Sequence, residues 1–99
     1  MNKTAFISKM LDAGDGYVNY ISTDSGKQKY YICTLNFKTK YVRDKYFEKY
    51  GVEPPTMSKL KKDLTDKILC FCWDLNEFKS VNVTKVTSIV PLNTVIGNR

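Results

Sequence analysis

A chain of 99 residues can bury a core of its own, and 42% hydrophobic against 26% charged residues excludes a disordered tail. No apolar run approaches the roughly 20 residues that span a bilayer, so no membrane partner is expected. Histidine is absent, which removes the usual general base and the usual partner of a Ser or Cys nucleophile; together with a net charge of +6 this points away from an enzyme and toward an acidic partner.

The placement of the charge is as informative as its size. Ten basic residues fall between Lys27 and Lys62, opposed only by Asp44, Glu48 and Glu53, a net +7; the rest of the chain nets −1. Three cysteines, an odd count, suit a reducing compartment better than a disulfide scaffold. The opening residues, MNKTAFISKMLDAG, lack the apolar stretch and cleavage site of a signal peptide. The expected location is the cytoplasm.

In chain order, the residues from Thr4 to Ala13 predict a short helix. Phe6, Ile7, Met10 and Leu11 form its stripe, Thr4 offers a cap and Gly14 a stop. From Tyr17 to Phe37 two β-rich arms flank Asp24-Ser25-Gly26, the pattern of a hairpin. In the second arm Cys33 and Leu35 are placed inward, and the side with Thr34 and Asn36 outward.

Lys40 to Tyr50 predicts a helix with Val42, Tyr46, Phe47 and Tyr50 on one face, ended by Gly51 and Pro54-Pro55. A second short helix over Thr56 to Leu64 carries Met57, Leu60 and Leu64, with Thr56 or Ser58 as its cap. The stretch from Ile68 to Ile96 reads as β-structure. Ile68 to Trp73 is apolar on both sides, as in a strand covered on both faces, and Leu75 to Glu77 makes a turn. Phe78 to Asn82 is the next strand, Val83 to Val86 a tight helical turn, and Thr87 to Val90 the last full strand.

These elements define one α+β domain over residues 1–99. Helix and hairpin occupy 1–37, a basic helical insertion 38–66 and a β-meander 67–99. About five short antiparallel strands, with a helical turn before the last, suggest a small SH3-like or Sm-like β-barrel.

Two segments carry a resemblance. Tyr20 to Leu35, YISTDSGKQKYYICTL, resembles small SH3-β-barrel proteins of phages and mobile elements, in which an aromatic strand, a Gly-containing turn and a basic residue precede an ending of the type Cys33-Thr34-Leu35. The segment ILCFCWDLNEFKSVNVTKVTSI is similar to their closing meander, through Trp73-Asp74, Phe78 and the step Val86 to Ile89. The same meander resembles the WYL domain of bacterial regulators. That family's basic ligand-facing residues would fall near Lys79 and Lys85, where single lysines and no arginine stand, so no ligand pocket is carried over. The resemblance covers mostly core positions and implies a phage or mobile-element origin, with a host cytoplasm as the location if the chain is phage-encoded, more than it implies a function.

Candidate sites narrow to the basic segment. Cys70 and Cys72 lie on one side of a strand, but with only Cys33 besides them and no His they fall short of the four ligands a zinc site usually takes. They read as buried packing, so no metal and no cofactor is expected. Gly14-Asp15-Gly16 matches no phosphate loop. The expected binding residues are Lys38, Lys40, Arg43, Lys45, Lys49, Lys59, Lys61 and Lys62, neutralising nucleic-acid phosphates, with Tyr30, Tyr41 or Tyr50 available for stacking. The alternative is a phage-type inhibitor or adaptor that docks on an acidic surface of a host enzyme or defence complex. There Trp73, Phe78 and the tyrosines would be anchors where exposed; core packing is their first expectation.

Overall fold

The computed structural model describes residues 1–93. The end of the expected β-block, residues 94–96, lies outside the described residues. The elements are α1 (Lys3–Ala13), β1 (Asp15–Ile21), β2 (Gln28–Thr34), α2 (Lys40–Tyr50), α3 (Met57–Lys62), β3 (Lys67–Cys72), β4 (Glu77–Asn82), a 3₁₀ turn (Val83–Lys85) and β5 (Val86–Pro91). All strand pairings are antiparallel, in the order β4-β3-β2-β1-β5. The sheet is open. Its edge strands, β4 and β5, do not pair with each other, so the architecture is α+β around a five-stranded antiparallel sheet.

Local chemistry accounts for most boundaries. Asn2, not Thr4, caps α1: its side chain accepts the Ala5 N–H at 2.8 Å. The chain leaves α1 through Gly14, whose N–H bonds Met10 O at 2.9 Å with φ at 72°. Thr56 caps α3 by accepting from the Lys59 N–H. Leu64 falls beyond that helix and is fully in solvent, so the expected three-residue stripe keeps only Met57 and Leu60, which touch the core.

One hydrophobic cluster joins both sides of the sheet. Helix α1 contributes Phe6, Ile7 and Met10 and packs on β1 and β5; Leu11, expected on the same stripe, is exposed. The fit is close at Gly16, where a Cβ would stand 2.8 Å from Met10 Sδ and 3.2 Å from Ile89 Cγ2. Helix α2 covers the Phe71 side of β3. Phe37, just before it, and Tyr46 close on Phe78 at ring distances of 5.8 and 5.4 Å, and Val42 is buried beside them. Phe47 and Tyr50, expected on that buried face, are exposed.

Strand β3 is buried from both sides, with Ile68, Cys70, Phe71 and Cys72 all inside. The apolar run ends sooner than expected, since Trp73 is 38% exposed. Thr34, placed outward by the alternation, is buried too. Its hydroxyl donates to Gly14 O at 2.8 Å and accepts from the Asn36 N–H at 3.0 Å, and these bonds make a buried polar group tolerable.

The register has one further consequence. Strands β2 and β3 pair only at Cys33↔Cys72 and Thr34↔Phe71. Strand β3 ends at Cys72, so the first half of β2 runs past it unpaired. Lys29 and Tyr31 of that half line a cleft of about 520 Å³ with Lys67 and Ser80 from the open end of the β3–β4 hairpin and with Lys85.

Candidate nucleic-acid interface

Helix periodicity puts Tyr41, Lys45 and Lys49 in one row along α2. The row faces the β3–β4 turn, where Lys45, Glu48, Lys49, Phe71, Asn76, Glu77 and Phe78 line a cavity of about 290 Å³. Tyr41 donates its hydroxyl to Asn76 Oδ1 at 2.6 Å, tying helix to turn. Asn76 sits at φ 53°, a left-handed conformation that asparagine tolerates better than most residues. Lys45 Nζ stands 5.8 Å from the Tyr41 ring centre and Lys49 Nζ 5.5 Å from that of Tyr50. Both ammoniums therefore rest over rings rather than on carboxylates, and neither forms an ion pair among the described residues.

The other expected cations are arranged differently. Lys40 is held by Asp44 at 2.6 Å, one turn away on the same helix. Arg43 makes a two-pronged bond to Glu53, Nε to Oε2 at 3.0 Å and Nη2 to Oε1 at 2.9 Å. That bond raises the Arg43 pKa and lowers the Glu53 carboxyl's. Both cations are thus already partnered. Lys38 and Arg43 border a separate groove of about 770 Å³ with Phe37, Pro54, Pro55 and Met57. Lys59, Lys61 and Lys62 project from α3 into solvent and are unpaired among the described residues.

The ten cations of the middle segment do not share one surface. Lys29 lies with Lys67 and Lys85 at the open end of the β3–β4 hairpin, where Lys67 pairs with Asn82. Lys45 and Lys49 lie at its turn end, where Cys72 pairs with Glu77. A six-residue strand, about 17 Å at 3.3 Å per residue, separates the two groups. Counting along the chain missed the Lys29–Lys67–Lys85 group because no local pattern links these positions. The exposure of Trp73 had a legible sign: the residue sits against the turn that begins at Asp74, where cover on a strand commonly ends.

The three thiols meet in the core. Cys33 and Cys72 are register partners, Cys70 is adjacent, and all three are free and buried. Hydrogen bonding to Cys70, then burial, pushes the Cys33 thiol up; hydrogen bonding to Cys33, then burial, does the same to Cys72. No group of three or more His, Cys, Asp or Glu side chains able to hold a metal is found among the described residues. No helix among them is long and apolar enough to cross a membrane. Comparison with protein-family models, with curated proteins and with solved structures finds no match to this chain.

Proposed function

We propose that this protein is a non-enzymatic binding module, a small SH3-like barrel of the phage type, that contacts nucleic-acid phosphates through its helical insertion. The strand order β4-β3-β2-β1-β5 and the 3₁₀ turn between β4 and β5 support the SH3-like part of this reading. One observation carries the binding part: Lys45 and Lys49 form no ion pair among the described residues and stand over exposed rings on one edge of α2, in a cavity that Glu48 and Glu77 also line. Lysines placed in this way replace the counterions condensed on a phosphate chain, and the released ions drive association. The α3 lysines 59, 61 and 62 add three further exposed cations. Lys40 and Arg43, already held by acids, contribute less.

Titration of labelled oligonucleotides at several salt concentrations tests this. Affinity falls as salt rises, by about 0.7–0.9 in log K per log salt for each phosphate contact. Lys45→Gln with Lys49→Gln lowers that slope by about 1.4 on a single strand, two contacts' worth. Lys40→Gln with Arg43→Gln changes it less. Absence of binding to any oligonucleotide at about 50 mM salt overturns the reading and leaves the acidic-protein partner in its place.

A further inference from the structure

Trp73 is the one tryptophan of the chain, and its setting is built rather than incidental. Its main-chain N–H donates to Ile32 O at 2.7 Å, and its indole Nε1–H donates to Asp15 Oδ1 at 2.8 Å. The ring is thereby pinned across the ends of β1 and β2. Asp15 and Tyr17 lie two apart on β1, Tyr30 and Ile32 two apart on β2, and Tyr17 pairs with Ile32, so all four occupy one face of the sheet. On that face Tyr17 and Tyr30 stack at 4.5 Å and 15°. At the other end Tyr41 lies against Trp73 at 6.1 Å and 24°.

The side chains form a continuous strip: Tyr30, Tyr17, Ile32, Trp73, Tyr41, and then Lys45. Tyr30 and Tyr41 are about half exposed, at 49% and 50%, so they serve as surface rather than core. We infer that this strip is a stacking platform for the bases of a single-stranded nucleic acid, whose phosphates run onto Lys45 and Lys49. The inference rests on the phosphate-binding reading above and adds the substrate class.

The chemistry selects a single strand over a duplex. In a duplex each base has both faces covered by its neighbours, so exposed protein rings find no partner. In a single strand every base offers a π-face regardless of sequence. A cation at one end of the ring row and a net charge of +6 match a polyanion. The Asp15 carboxylate accepts the indole N–H and holds the ring in place, while the phosphates run at the other end of the strip, on Lys45 and Lys49.

Trp73 is its own reporter. Its fluorescence is followed while an oligothymidine of about 12 nucleotides, or a duplex of the same length, is added at low salt. Saturable quenching by the single strand is expected, with tighter binding than the duplex. Tyr30→Ala, at the far end of the strip from the lysines, weakens single-strand binding by about 5- to 150-fold, the range for one stacked base. It leaves the salt slope and the duplex affinity where they were. Tyr30→Phe, which keeps the ring, restores binding, and circular dichroism verifies that both variants fold. Equal affinity for strand and duplex, with no response to Tyr30→Ala, overturns the platform while sparing the phosphate reading. No binding to either nucleic acid overturns both.

Discussion

Thr34 shows how one hydroxyl couples two elements. It bonds the carbonyl of Gly14, between α1 and β1, and the amide of Asn36, the second residue of the loop that leaves β2. Replacing it by the near-isosteric valine removes both bonds, which are part-buried, while the Gly14 and Asn36 residues themselves are exposed to water. Thr34→Val is expected to cost about 0.5–1.5 kcal/mol for each hydrogen bond lost. A urea unfolding curve with a lowered midpoint and an unchanged slope is the expected result; an unchanged midpoint would mean that water satisfies those groups. Lys40 and Arg43 teach the opposite lesson. Their ion pairs are short but exposed, and exposed pairs add about 0–1 kcal/mol, so their main effect is to subtract two positive charges from the surface α2 presents.

At the scale of elements, the joint between β2 and β3 sets the shape of the molecule. The bond from the Trp73 N–H to Ile32 O places the main-chain groups of Ile32, and by alternation those of Tyr30, on the β3 side. Pairing there stops at Cys33, and Asp74 Oδ1 takes the Ile32 N–H at 3.3 Å in place of a strand. The Tyr30 N–H has no strand partner on that side, whereas Tyr31 faces β1 and pairs with Val18. Amide exchange followed by NMR is therefore expected to be faster at Tyr30 than at Tyr31, although both lie within one strand. Equal protection would mean that β3 closes on β2 further along than the register indicates.

For the whole molecule, the core holds groups that resist ionisation. Cys33 and Cys72 are raised above their ordinary 9.0. Tyr20 is pushed up from 10.0 to about 12, by desolvation first and then by its hydrogen bond to Tyr31. All three are neutral when protonated. Unfolding releases their protons at the ordinary values, so folding stability is fully present below about pH 9 and declines as pH rises above it. Unfolding midpoints compared at about pH 7.5 and pH 10 should show the alkaline loss. A thiol reagent should leave the folded chain unlabelled and modify it once unfolded. Rapid labelling of the native protein would contradict the burial of the three cysteines.

Much of the architecture was legible along the chain because the signals are local. Periodicity over Lys40–Tyr50, glycines at helix ends and the β-rich arms around Gly26 act through nearest neighbours, and the helices and strands fall close to where those signals put them. The early burial of β3, from Ile68 to Cys72, was likewise readable from its unbroken apolar run. Exposure is a different matter, since it depends on what lies across a face. Thr34 ends in the core, bonded to Gly14 at the end of α1, whereas Trp73 stays 38% exposed even with Tyr41 of α2 against it. Long-range folding also decides which cations are company: Lys29 joins Lys67 and Lys85, Arg43 joins Glu53, and Lys45 joins a ring. The total charge is a sum over residues and needs no fold; a binding surface is a juxtaposition of distant residues and exists only once the chain has closed on itself.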